Sequence, residues 1–311
     1  MLSLKARKRK KVISFFMRLV TLIKPGDLSL FQIKIIRNLV SIASHRRSRV
    51  TNNTIQKIKI DKLDLYHVKP NELSDEKKIL FFHGGGFFIG NFKIYRNYVS
   101  FLAEVVGREI IFVDYKLSPE SKYPIQLEQA KLAYSFILEK FKGSHVILAG
   151  DSAGGNLALS LFLAVREEKI TKPVGIFCVS PWVNPTAQLS EYPDSFCESD
   201  VLIGPFIKRA KETGSGPLSY LYCNELDKID PIISPLFGDF RNAPPIMIQY
   251  VEKEMLSIQI EQFLKRLKKK KITVLTKVWK DLWHDFQLET DLSETRKSFV
   301  LFKHFLDELP T

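Results

Sequence analysis

The chain has 311 residues, 45% hydrophobic and 26% charged, with a net charge of +13 and a pI near 9.5. That length suits one large α/β domain with insertions, or two small domains, and the composition is ordinary for a globular protein. Three cysteines without a Cys-x-x-Cys pairing exclude a disulfide framework, and no apolar run reaches the roughly eighteen residues of a membrane-spanning helix.

Residues 5–11 read Lys-Ala-Arg-Lys-Arg-Lys-Lys, and residues 265–271 read Lys-Arg-Leu-Lys-Lys-Lys-Lys. Such runs are usually solvated faces; the sharper reading is attraction to anionic lipid headgroups. No nucleic acid is expected, because no zinc-finger, RNP or helix-turn-helix signature accompanies them. Arg18 interrupts the apolar stretch after the first run, which argues against a signal peptide. The spacing predicts an amphipathic helix over 11–23, ended by Lys24-Pro25-Gly26, with Phe15, Phe16, Leu19, Leu22 and Ile23 on one face. That face either buries against the protein body, the commoner fate, or lies on an anionic membrane through residues 5–23. The expected location is therefore cytoplasmic, with peripheral membrane contact. A second helix is predicted from Leu30 to Ile42.

From Thr54 the period changes to polar–apolar alternation through Ile60, and Asp64–Val68 repeats it, as half-buried strands do. Lys78–Phe82 is a fully apolar strand running into His83-Gly84-Gly85-Gly86. Consecutive glycines let backbone N–H groups turn towards a ligand, and such a loop after a buried strand can supply half of an oxyanion hole. His83 is expected to hold the loop by hydrogen bonding. A helix over Asn97–Val106, a strand over Glu109–Tyr115 and a helix over Leu127–Phe141 follow.

The apolar run Val146–Ala149 then leads into Gly150-Asp151-Ser152-Ala153-Gly154 and a helix-prone segment. A strand, a Gly-x-Ser-x-Gly turn and a helix together are far more specific than the five-residue pattern alone. The glycines allow strand and helix to approach, which strains Ser152 and exposes its hydroxyl, while the helix start points free N–H groups at the same place. Alternating strands and helices at these spacings imply right-handed crossovers and a mostly parallel sheet. Val174–Ser180 extends the sheet. Residues 183–228, broken by prolines and glycines, read as an insertion capping the site. The α/β pattern resumes with strands at Pro245–Tyr250 and Ile272–Trp279, a helix at Ile258–Lys271, and a closing helix at 292–308. The expected units are cap helices 1–50, core 51–182, cap insertion 183–228 and core 229–311.

A serine nucleophile needs a base, and His284 follows the last strand. The acid orienting its ring should come from the loop after the preceding strand, Val251-Glu252-Lys253-Glu254. Glu254 is the choice and Glu252 the reserve. Asp291 and Asp285 are further carboxylates, but Asp285 adjoins His284 and is expected to reach its ring poorly.

The motifs His83-Gly84-Gly85-Gly86-Phe87, Asp114-Tyr115-Lys116-Leu117-Ser118-Pro119-Glu120, Gly150-Asp151-Ser152-Ala153-Gly154-Gly155, Ser234-Pro235-Leu236 and His284-Asp285-Phe286 together span most of residues 55–305. With them the chain resembles the hormone-sensitive-lipase-like family of α/β-hydrolase esterases. The resemblance implies an α/β-hydrolase fold with a mostly parallel central sheet, flanking helices and a helical cap. It implies hydrolysis of a small apolar acyl ester through Ser152 and His284. It further implies an oxyanion hole from the N–H groups of Gly84, Gly85 and Ala153, with His83 and Asp151 as supporting residues. No metal or organic cofactor is needed, and a homodimer is an open expectation. The family usually has aspartate where Glu254 stands. A non-catalytic binding relative and an amidase or peptidase with the same triad remain alternatives.

Overall fold

The computed structural model describes residues 2–20, 29–45, 52–142, 145–214, 222–223 and 230–310. Eight strands form one sheet in the order β1-β2-β4-β3-β5-β6-β7-β8. They are β1 (Thr54–Ile60), β2 (Leu63–Lys69), β3 (Lys78–Phe82), β4 (Glu109–Asp114), β5 (Val146–Asp151), β6 (Gly175–Val179), β7 (Ile246–Val251) and β8 (Val274–Trp279). Only β2 runs against the rest, pairing antiparallel with β1 and with β4; from β4 through β8 every neighbour is parallel.

Parallel strands are joined by helices that cover both faces, so the central strands are buried throughout and read as unbroken apolar runs. The alternation survives in where each side chain goes. Leu148, Ile111 and Val113 point into one core, with α4 (Ile125–Lys140), α5 (Ala153–Glu167) and α8 (Ser257–Lys269). Ile147, Ala149, Ile110 and Phe112 point into the other, against α3 (Phe92–Val106) and α9 (Ser293–Asp307). There Phe177 stacks on Phe302 with centroids 3.7 Å apart. Both cores close on the sheet, so the carboxyl ends of β3, β5, β7 and β8 are free to carry loops.

Above those ends lie α1 (Leu4–Val20), α2 (Leu30–His45), α6 (Asp194–Cys197) and α7 (Gly204–Thr213). The first helix starts earlier than its periodicity indicates, because the Ser3 hydroxyl accepts from Ala6 N–H at 3.1 Å and caps it. Of the two fates considered for its Phe15 and Phe16 face, full burial against the body is not the one seen. Ala6 and Met17 are buried, whereas Phe15 is 70% and Phe16 42% exposed. Polar anchors fix this orientation: Ser3 bonds Glu294, Arg9 pairs with Glu289 and Asp291, and Lys10 donates to the carbonyls of Asp281 and Leu282. A small apolar cluster of Ala6, Val201, Leu282, Trp283, Phe286 and Leu292 closes underneath. Leu22, Ile23 and the Lys24-Pro25-Gly26 stop lie outside the described residues, as does much of the insertion after 214. Among the described residues, no helix is long and apolar enough to cross a membrane.

Candidate active site

Ser152 stands between β5 and α5 at φ 50° and ψ −117°, a left-handed conformation that strains any residue with a β-carbon. The turn is too tight for side chains beside it: a Cβ on Gly154 would lie 2.0 Å from the Phe82 carbonyl oxygen, and one on Gly150 would lie 2.4 Å from Gly154. Backbone bonds hold the turn, with Ser152 N–H donating to Val179 O at 2.8 Å and Ser152 O accepting from Trp182 N–H at 2.9 Å.

The glycine loop is fixed from behind. His83 stacks on Tyr115 at 4.1 Å, its carbonyl accepts from the Tyr115 hydroxyl at 2.6 Å, and its Nδ1 lies 2.8 Å from Gly84 O. Burial pushes its pKa down to about 4, so the ring is neutral and Nδ1–H is the donor. Asp151 supports the same loop. It accepts from Gly84 N–H at 3.1 Å and from the Tyr95 hydroxyl at 2.5 Å, and that hydroxyl also accepts from Gly84 N–H at 3.0 Å.

These bonds correct one expectation. The Gly84 N–H is committed to Asp151 and Tyr95 and is not a free donor for an oxyanion. Gly85 and Gly86, at φ 102° and 62°, follow it in the loop and line the cavity with Ser152. Their N–H groups and that of Ala153, at the start of α5, have no hydrogen-bond partner among the described residues. Sequence alone could not say which glycine of three carries the supporting bond.

His284 is buried on the loop after β8, with Nδ1 3.3 Å from Glu254 Oε2. This is an ion-pair distance rather than an aligned hydrogen bond; Oε2 also accepts from the Ser180 hydroxyl at 2.8 Å. Of the other carboxylates weighed, Glu252 is exposed and Asp291 faces Lys5 and Arg9 on α1. Asp285 is the surprise. Its backbone is left-handed at φ 51° and ψ 36°, which folds its carboxylate back until Oδ2 lies 3.1 Å from His284 Nε2. Aspartate tolerates this conformation better than most residues, and that tolerance was the only signal available in the sequence.

The histidine therefore sits between two carboxylates, one at each ring nitrogen, and no hydrogen bond joins it to Ser152. Burial by itself lowers its pKa; Asp285, and with it Glu254, reverses this and holds His284 well above the ordinary histidine value. Burial pushes the Glu254 carboxyl up to about 7, with His284 opposing. Asp285 is raised by burial as well, and Asp151 is raised strongly by burial and by Asp285.

A cavity of about 270 Å³ opens over Ser152 and His284. Its upper wall is apolar: Phe16 and Met17 from α1, Ile36 and Leu39 from α2, and Phe206 and Ile207 from α7. Arg37 ties α2 to the glycine loop, donating to Phe88 O and Ser118 O at 2.7 Å each and pairing with Glu120. The wall residues scatter through three helices, and no local motif marks them.

A family model described as the alpha/beta hydrolase fold matches residues 79–288. The chain is 29% identical over 218 residues to an esterase of Acinetobacter venetianus, covering 70% of each protein. It is 28% identical over 211 residues to an acetyl-hydrolase of Streptomyces hygroscopicus, covering 68% of each. Among solved structures, an esterase from the bacterial hormone-sensitive lipase family superposes with a TM-score of 0.81 at 22% identity, over 96% of both chains.

Proposed function

The chain belongs to the α/β hydrolase fold family as a carboxylesterase-like hydrolase, and on that premise we propose that it is of the hormone-sensitive-lipase type, with Ser152, His284 and Glu254 hydrolysing short- to medium-chain acyl esters through an acyl-enzyme. The observation carrying the reading is Ser152, strained at the floor of an apolar cavity that it shares with His284, whose far nitrogen faces Glu254.

Ser152 Oγ attacks the acyl carbon while His284 Nε2 takes its proton. That step requires a neutral imidazole whose Nε2 has left Asp285. The tetrahedral oxyanion is received by N–H groups of Gly85, Gly86 and Ala153, each such donor contributing about 3 kcal/mol of barrier lowering. His284 then protonates the leaving alcohol, the acyl group remains on Ser152, and water activated by His284 releases the acid. Glu254 keeps the imidazolium favourable and its ring oriented throughout. The helices of 1–50 and the insertion 183–228 act as the cap over core segments 51–182 and 229–311. The basic N-terminal stretch makes peripheral contact with an anionic membrane.

The test is hydrolysis of a p-nitrophenyl acyl series by wild type, Ser152→Ala and Glu254→Gln. Activity in wild type, loss in Ser152→Ala and a severe deficit in Glu254→Gln support the reading. One observation favours a second reading, a ligand-binding relative without turnover: His284 Nε2 faces Asp285 instead of Ser152. A folded wild type inert across the whole series would establish that alternative.

A further inference from the structure

Large apolar side chains are unevenly exposed on this protein. Of the eleven that stand in solvent among the described residues, eight lie on α1 and α2, which are 17 and 16 residues long. On α2, Phe31, Ile35 and Leu39 follow at intervals of four and form one line, with Phe31 72% exposed. On α1, Leu4, Val12 and Phe15 share the outer arc. Each helix already buries an opposite apolar face, Ala6 and Met17 on α1 and Ile33 and Ile36 on α2. A helix apolar on two sides has a second apolar partner to satisfy.

Charge identifies that partner. Neither helix contains a single aspartate or glutamate. Arg7, Lys8 and Lys11 are interleaved with the exposed apolar residues of α1, and all three are themselves exposed. No carboxylate pairs with any of them among the described residues. Cations flanking aromatic and aliphatic side chains on one helical face match the boundary between acyl chains and anionic headgroups. A second copy of the chain fits poorly, because it would set two carboxylate-free basic faces against each other on a protein of net charge +13.

The patch is also continuous with the cavity. Phe16 and Leu39, 42% and 49% exposed, also line the cavity. The inner side of α1 is bonded to the loop that carries His284, through Lys10 to the carbonyls of Asp281 and Leu282.

We propose that the outer faces of α1 and α2 form a docking surface for an anionic lipid layer, from which an ester lipid passes directly between Phe16 and Leu39 into the cavity. The lipid-delivery half of this proposal rests on the esterase reading; the docking half does not. The surface is read by co-sedimentation with phosphatidylcholine vesicles containing phosphatidylserine, beside pure phosphatidylcholine vesicles. Hydrolysis of soluble p-nitrophenyl butyrate is measured on the same preparations.

Wild type and Ser152→Ala bind the anionic vesicles alike, and added salt weakens both. Replacing Arg7, Lys8 and Lys11 by glutamine lowers partitioning roughly a hundredfold, about fivefold for each charge. Replacing Phe15, Phe31 and Ile35 by serine abolishes binding. Both triple variants hydrolyse the soluble ester as wild type does, since none of the six residues lines the cavity. The docking proposal is overturned if wild type ignores anionic vesicles, if either triple variant binds unchanged, or if wild type is a dimer that the serine variant dissolves. A wild type that binds vesicles but hydrolyses no ester would sink the esterase reading and leave the surface standing.

Discussion

Asp285 gives the sharpest prediction. An imidazole accepts the Ser152 proton only when it is neutral, and both carboxylates at His284 favour its charged form. The acid limb of kcat/KM therefore lies above the ordinary histidine range, and activity present at high pH is lost as pH falls through that limb. The charged groups of the site come from several elements: Glu254 after β7, Asp285 next to His284 in the chain and Asp151 at the end of β5 act on the ring, while Asp200 in the insertion acts on Glu254 and Asp285. Asp285→Asn keeps the shape and the left-handed backbone but removes one negative charge. A hydrogen bond to a charged group contributes about 1.5–3 kcal/mol. Each 1.4 kcal/mol is a tenfold change in the protonation equilibrium. On the acid side of the limb, kcat/KM should thus rise roughly ten- to a hundredfold, with little change on the alkaline plateau. The assay is the pH profile of kcat/KM for p-nitrophenyl butyrate, with thermal melts confirming that both proteins stay folded. An acid limb that stays in place, or moves to higher pH, would refute the claim that Asp285 holds the charged imidazole.

Three further outcomes follow from the same geometry. Glu254→Gln leaves the ring with a neutral neighbour at Nδ1 and should lower kcat roughly 10²- to 10⁴-fold with a smaller change in KM, measured on the same ester. Tyr95→Phe removes the hydroxyl that donates to Asp151 and accepts from Gly84, leaving a buried carboxylate oxygen without its partner; urea unfolding should register a loss of about 1–3 kcal/mol. Gly154→Ala sets a methyl group 2.0 Å from the Phe82 backbone carbonyl, an obstacle no rotamer change can relieve. Melting and activity should both fall, and an active Gly154→Ala enzyme with an unchanged melting temperature would show that the turn has room for a methyl group.

The central strands were legible because burial on both faces writes itself as short apolar runs, and β3 ends where its pattern ends. The Ser152 turn was legible because its glycines answer a steric demand at fixed spacing. Other features depended on long-range partners. Asn91 caps α3 by accepting from Ile94 N–H at 2.9 Å, so the helix begins at Phe92 although the periodicity becomes plain only near Asn97. The face that α1 turns inward is decided by Glu294, Glu289 and Asp291, nearly the whole chain away. The same holds inside the site. Glu254 could be chosen from its loop position, while the reach of Asp285 depends on one left-handed residue, and the commitment of Gly84 depends on Tyr95 and Asp151 arriving from α3 and β5.

The central claim is that Ser152 carries the acyl group, and mass spectrometry of rapidly quenched enzyme tests it most directly. With p-nitrophenyl butyrate as substrate, the peptide containing Ser152 should gain one butyryl group in wild type, and Ser152→Ala should gain none. Ester turnover with no acyl group on Ser152, or with the label on another residue, would contradict the account.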